Sequence, residues 1–378
     1  TRVRSSAASD VYKRQGMIPL VKPYMPPREV LMPALEQILY SGYIATGQAV
    51  DDFEMEFRRF IGNPNMLSLH SGTDALHLAF ILAGVKPGDE VISTPMTAEP
   101  TNTSIAMVGA KVVWGDVDPA NGLLDPASVH SLITERTKAI VLVDYAGMVC
   151  DIDAFRHISA ETGVPLIEDA AHALGSKYKG RMTGCNVPYT VFSLQAIKHM
   201  TTVDGGFLAV RSEAELDRAR RLRWFGLDKK RSRLENDITE VGYKYAMNNV
   251  NATIGLVQMR YIEDVIGKYI ANGKFYDEAL AGADGVTLPF YYPGAEASYW
   301  LYTMKVERRD DFIRMMEANG VLASPLHHRS DTHSIFKDSR RDLPGMEQWY
   351  ESFVHIPCGW WVTPEDRIRI VELVKKGW

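Results

Sequence analysis

Two residues in this 378-residue chain have the types and the spacing for one recognisable chemistry. Lys198 ends the segment Phe192-Ser193-Leu194-Gln195-Ala196-Ile197-Lys198 and is soon followed by Asp204-Gly205-Gly206. Upstream, Asp169 closes the run Ile167-Glu168-Asp169 and precedes Ala170-Ala171-His172. A lysine amine on a loop of small residues can form a Schiff base with an aldehyde. An aspartate at the end of an apolar stretch can pair with a pyridinium nitrogen and keep it protonated. A pyridoxal phosphate site needs both groups, because the protonated ring is the electron sink and the lysine is the attachment point and proton carrier. Each residue alone has a plainer reading, since most lysines are solvated and an aspartate after a strand often caps the next helix. The pair in this order points to chemistry.

Other residues fit around the pair. Ser71-Gly72-Thr73-Asp74 sits between an apolar segment and a helical pattern, where backbone N–H groups and hydroxyls can cradle a phosphate. Ser193 falls at a strand end, five residues before the lysine, with a hydroxyl to offer the same phosphate. His172, three residues after Asp169, can stack on or hydrogen-bond the cofactor. Gly205-Gly206 permits a close backbone turn beside the site. The basic run Arg218, Arg220, Arg221, Arg223, Lys229, Lys230, Arg231 and Arg233 reads first as a solvated helix and loop, and second as a site for an anionic substrate. His327-His328-Arg329-Ser330-Asp331-Thr332-His333 is unusually polar and is a candidate lining for the substrate pocket.

The elements that must position these residues alternate. A helix over 74–83 is followed by short apolar strands at 90–93 and 112–114, a helix at 125–135, and the nearly all-apolar strand 139–143. A helix at 153–162, then strands at 165–167, 190–193 and 207–210, complete the set. This order predicts a mainly parallel α/β sheet with ligands outside the strand carboxyl ends, where Asp169 and Lys198 both fall. Further on, 257–280 reads as helix, 299–307 as strand, 310–319 as helix, and Thr363-Pro364 as the start of a final helix to Lys376. The division expected is a large domain over 16–258 and a smaller α+β domain over 259–378.

Composition excludes several classes. The chain is 46% hydrophobic and 24% charged, with a net charge of −5 from intermixed acids and bases. That gives no reason to expect nucleic acid or a membrane as partner. Cys150, Cys185 and Cys358 form no CxxC pair and no metal spacing, so a reducing cytoplasm without a metal site is expected. No GxGxxG follows a strand at the start of the fold, which argues against a nicotinamide dehydrogenase. The string Ser5 to Gln15 resembles translated sequencing-adapter sequence. Residues 1–15 are therefore expected to be a non-native extension, with the natural chain beginning near Met17.

From about Ile18 to the C-terminus the chain resembles the DegT/DnrJ/EryC1/StrS sugar-nucleotide aminotransferases of pyridoxal phosphate fold type I. The segments that carry the resemblance are Gly47-Gln48-Ala49-Val50 with Phe53-Glu54, Ser71 to Leu76, Gly109-Ala110 with Asp116-Val117-Asp118, Glu168 to His172, Phe192 to Lys198, Asp204-Gly205-Gly206, Gly242 to Asn248, and His355-Ile356-Pro357. Their order and spacing together are specific. The resemblance implies a large domain with a mainly parallel seven-stranded sheet. It implies Lys198 as Schiff-base lysine and proton shuttle, Asp169 on the ring nitrogen, His172 on the ring or its 3-hydroxyl, and Gly72, Thr73, Asp74 and Ser193 around the phosphate. It implies a homodimer with shared active sites, in which Lys244 and Asn248 reach the neighbouring cofactor. The reaction implied is amino transfer from a donor such as L-glutamate to a nucleotide-linked keto-sugar, in the setting of polysaccharide or modified-sugar biosynthesis. Arg223, Lys229, Lys230, Arg231 and Arg329 are candidates for the diphosphate, and His327 and His328 for the sugar. Retention of Lys198 favours transamination over the dehydratases of the family, in which histidine replaces it, and over a non-catalytic member. One departure is Ala98, which stands where many members carry an aromatic residue that stacks on the cofactor.

Overall fold

The computed structural model describes residues 16–378, so the segment read as a non-native extension, 1–15, lies outside the described residues. One sheet of seven strands organises the chain. Its strands are β1 (Met66–Leu69), β2 (Glu90–Ser93), β3 (Lys111–Trp114), β4 (Thr137–Val143), β5 (Leu166–Asp169), β6 (Tyr189–Ser193) and β7 (Gly206–Ala209). The spatial order is β1-β7-β6-β5-β4-β2-β3. Neighbours from β3 across to β6 run parallel, and β7 runs antiparallel to both β6 and β1. The expected mainly parallel α/β architecture is therefore present. The strands read as continuous apolar runs because helices cover both faces: Ala139 to Val143 and Leu166 to Asp169 are buried throughout.

Parallel order puts the carboxyl ends of β2, β4, β5 and β6 on one edge, and the loops that leave that edge carry the candidate residues. Local chemistry fixes where the neighbouring helices begin. Ser71 caps helix Gly72–Leu82 by accepting from the Asp74 N–H, and Asp151 caps Ile152–Thr162 in the same way through Ala154. Thr363 and Asp366 form a reciprocal capping box at Pro364–Lys376.

Three sequence expectations need shortening. The helix expected at 125–135 spans only Pro126–His130, because Thr134 and Thr137 close a turn of their own into β4. The 257–280 pattern is the tail of helix Asn249–Met259 and then helix Ile262–Ala279, broken at Arg260-Tyr261. The strand expected from 299 starts at Tyr302, because Tyr299 has φ +52°, outside any strand conformation.

A second sheet, Val286–Thr287, Tyr302–Val306 and Phe353–Ile356, is antiparallel and covers a core of its own with Phe312, Met316 and Ile370. Helix Ile262–Ala279 joins the two regions: Ile262 and Ile266 pack with Phe53 and Phe57, while Tyr276 packs in the second core. Phe336, Leu343, Met346, Trp349 and Phe353 pack into the core of the large sheet.

Candidate active site

A cavity of about 320 Å³ opens at the carboxyl edge of the sheet. Gly72, Thr73, Asp169, His172, Ser193, Lys198 and His327 all line it. Each arrives by a different route through the fold.

Lys198 stands on the loop after β6. That loop is tightened by Lys198 N–H to Gln195 carbonyl (3.0 Å), Ile197 N–H to the Gln195 side-chain oxygen (3.2 Å), and Leu194 N–H to Gly205 carbonyl (2.8 Å). The paired glycines are steric requirements: a Cβ on Gly206 would lie 2.5 Å from the Ser71 carbonyl oxygen, and one on Gly205 2.2 Å from Thr202 Oγ1. This close approach brings the start of helix Gly72–Leu82 against the lysine loop, so that Gly72 lies beside Ser193. Lys198 itself is half-buried. Burial pulls its amine down to about 7, and nearby Asp169 partly opposes that shift.

Asp169 ends β5 and is 4% exposed. Its Oδ2 accepts from Thr101 Oγ1 (2.7 Å) and its Oδ1 from the Ala171 N–H (3.1 Å). Thr101 shares a further 2.7 Å bond with Thr97. Burial raises the Asp169 carboxyl above the usual range, while Thr101, Ala171 and Lys198 pull it back. Among the described residues no cation makes an ion pair with it within 4 Å. A buried carboxylate facing a cavity without such a pair is suited to a cationic ring N–H.

His172 is buried beside Asp169. Its Nδ1 accepts from the Ala146 N–H (3.3 Å), which assigns the ring proton to Nε2. Burial, then Lys198 and three neighbouring histidines, hold the ring neutral well below the usual histidine range. The ring stacks on Trp300 at 3.9 Å and lies parallel to His327 at 5.7 Å. His327 is pulled to about 3 by burial, and its buried Nε2 has no protein partner.

The remaining candidates lie elsewhere. Asp74 is not in the cavity wall; its backbone N–H bonds Ser71 Oγ, and its carboxylate is 4.0 Å from His70. Lys244 is exposed, and Asn248 caps helix Asn249–Met259. Arg223 is bound by buried Glu54 (2.5 Å) and the Ser68 carbonyl (2.8 Å). Arg223, Lys229 and Lys230 line a separate cleft of about 530 Å³ with Arg58, Arg220 and Arg221. Arg231 lies 3.6 Å from Asp228, His328 is exposed against Thr332, and Arg329 is paired with Asp331 at 2.7 Å. Ala98 lies at the cavity wall as the N-cap of helix Glu99–Met107.

Two residues that touch the site carry little signal in the sequence. Thr101 looks like any helical threonine, although its place after β2 at the carboxyl edge offered a hint. Trp300 looks like one more core aromatic among Tyr299, Leu301 and Tyr302.

Residues 28–375 match the model of the DegT/DnrJ/EryC1/StrS aminotransferase family, and the chain belongs to that family. It is 33% identical over 363 residues to UDP-4-amino-4-deoxy-L-arabinose–oxoglutarate aminotransferase of Shewanella sediminis, covering 90% of this chain and 92% of that protein. The fold superposes on the sugar aminotransferase CalS13 of Micromonospora echinospora with a TM-score of 0.92, at 35% identity over 96% of this chain and all of that one. It also superposes on Spr1654 of Streptococcus pneumoniae in its pyridoxal phosphate form, with a TM-score of 0.87, at 27% identity over 95% of this chain and 98% of that one. The protein is accordingly a pyridoxal phosphate-dependent sugar aminotransferase of fold type I. The residues present fit that cofactor: a half-buried amine, a buried carboxylate without an ion-pair partner, and a helix N-terminus with Thr73 and Ser193 at the cavity wall.

Proposed function

We propose that the chain transfers an amino group from L-glutamate to the keto group of a nucleotide-linked sugar, in two half-reactions at the Lys198 cavity. The observation that carries this reading is the meeting of Lys198 and Asp169 in one buried cavity. The reading of a nucleotide-linked sugar is supported by the Shewanella relative, whose name contains UDP-4-amino-4-deoxy-L-arabinose and oxoglutarate, the keto acid that L-glutamate becomes on giving up its amino group.

Bound in this cavity, pyridoxal phosphate supplies an electron sink that allows the donor Cα–H bond to break and the amino group to be carried between substrates. Lys198 would hold the cofactor and, freed by the donor amine, would carry the proton taken from the donor Cα. An amine pulled to about 7 suits both tasks, because it is partly neutral near neutral pH. Asp169, oriented by Thr101, keeps the ring nitrogen protonated. His172, with its proton on Nε2, would contact the ring or donate to its 3-oxygen. The N–H groups of Gly72 and Thr73 and the Ser193 hydroxyl receive the phosphate. Arg223, Lys229, Lys230, Arg231 and Arg329 are the candidate cations for the acceptor diphosphate, and in a homodimer the segment 242–248 of the second copy, with Lys244 and Asn248, would reach the cofactor in this cavity. The three cysteines are free, which supports a reducing cytoplasm as the setting.

The test is incubation of the protein with pyridoxal phosphate, L-glutamate and a set of nucleotide-linked keto-sugars. Formation of an amino-sugar nucleotide with equimolar 2-oxoglutarate is expected. A deoxygenated sugar without 2-oxoglutarate would replace transamination with elimination.

A further inference from the structure

Trp300 belongs to none of the sequence motifs, yet it touches Ile197, Lys198 and His172. It is 1% exposed. Its indole N–H donates to the carbonyl of Ile197 at 2.8 Å, the residue immediately before the lysine. Its ring centroid lies 4.2 Å from the Lys198 Nζ. The same indole stacks on His172 at 3.9 Å with an interplanar angle of 21°.

Its backbone is clamped. Ser298 receives His199 Nε2 on its carbonyl (3.1 Å) and donates its N–H to Ser176 Oγ (3.1 Å). Tyr299 holds a left-handed φ of +52° and donates its hydroxyl to Asp277 (2.5 Å). Leu301 N–H reaches the Ala146 carbonyl (3.4 Å). A strained residue held on both sides fixes the direction of the side chain that follows it. Ala98, meanwhile, brings no ring to the cavity wall.

We propose that Trp300 is a positioning residue for the reaction: its ring face is the seat on which the free Lys198 amine rests, and its N–H fixes the loop that carries that amine. The inference rests on Lys198 being the attachment lysine. A cation over an indole face is attracted by the ring quadrupole, and the attraction strengthens where water is excluded. The seat therefore favours the protonated amine and works against the burial that disfavours it. It also holds the amine within the cavity when the amine is not attached to the cofactor. The other groups facing Lys198 are Asp169, which favours its charge, and His172, His199 and His327, which are neutral. Trp300 adds to this set an uncharged ring face that favours the protonated amine.

The experiment follows covalent capture of pyridoxal phosphate by the apoprotein across pH 5–10. Borohydride traps the adduct, and peptide mass spectrometry locates it. Wild type is compared with Trp300→Phe, Trp300→Leu and Trp300→Met, each with its melting temperature. Trp300→Phe keeps an aromatic face and loses the N–H; capture is expected to slow while its pH midpoint stays. Trp300→Leu and Trp300→Met lose the face; the midpoint is expected to fall by about half to one unit, a three- to tenfold loss of proton affinity. If Trp300→Leu does not fold, the softer Trp300→Met gives the same reading. A midpoint unchanged in both aliphatic variants, with only melting temperature lowered, overturns the inference and makes Trp300 a packing residue. Absence of the adduct on Lys198 in wild type removes the reading on which the inference rests, and that outcome is distinct from an unchanged midpoint.

Discussion

The Lys198 cavity and the arginine-rich cleft between residues 46–58 and 217–230 treat charge in opposite ways. In the cleft, carboxylates are matched: Glu54 is held by Arg58 and Arg223, and Asp217 by Arg220. In the cavity no close ion pair forms among the described residues, and burial outweighs the attraction between Asp169 and Lys198, so Asp169 is pushed up, Lys198 is pulled down, and His172 and His327 are held neutral. Matched charges stabilise a fold and titrate little. Unmatched ones cost stability and stay available to a ligand. The contrast separates a cavity whose buried groups are shifted from their usual titration from a cleft whose acids are held in ion pairs.

The largest effect expected from breaking this contrast is at Asp169. Asp169→Asn keeps the shape and removes the negative charge, so the first half-reaction with L-glutamate should slow by about 10²–10⁴ with the fold retained. Stopped-flow absorbance on the loaded enzyme measures it. A loss under threefold would show that the cavity does not depend on a charged partner for the ring.

On the other side of the contrast, Arg223→Ala strips Glu54 of its shorter ion pair while leaving its carboxylate 3% exposed. Stability should fall by about 3 kcal/mol in denaturant unfolding. An unaltered midpoint would mean that Arg58 alone satisfies the carboxylate and that Arg223 is free for a ligand.

How far the sequence reached follows the range of the interactions. Strand β4 was legible because a run buried on both faces needs no partner to be recognised, and Thr363-Pro364 announced its helix through local capping chemistry. Lys198, Asp169, His172, Ser193, Gly72 and Thr73 stood out as a set of types in order, and they meet in one cavity. The contacts made by Thr101 and Trp300 span 68 and 103 residues, and no local pattern encodes them. The basic run was visible, but its engagement by Glu54, 169 residues from Arg223, was not.

A smaller effect sharpens the contrast just beneath the site. Asp144 Oδ2 and Glu168 Oε1 are buried without other partners, and burial together with Glu168 raises Asp144 well above the usual carboxylate range. A proton on Asp144 shared with Glu168 would satisfy both oxygens. The folded protein therefore keeps a proton that the unfolded chain gives up above about pH 4. This contribution is full at low pH and is lost as pH rises towards the raised value of the pair. Lys198 contributes with the opposite sign, since its lowered value adds stability as pH rises from about 7 towards 10.5. The difference between wild type and Glu168→Gln isolates the pair. Wild type should lose stability relative to the variant by about 1 kcal/mol per pH unit within the window. Parallel curves would show that no proton is shared.

The most direct test of the account is an absorbance spectrum of the purified protein with pyridoxal phosphate, taken before and after L-glutamate. The account predicts a visible band, absent in Lys198→Ala, that L-glutamate converts to the near-ultraviolet absorbance of the aminated cofactor. A band of equal strength in Lys198→Ala, or no band in either protein, would contradict the assignment of Lys198 as the residue on which the chemistry turns.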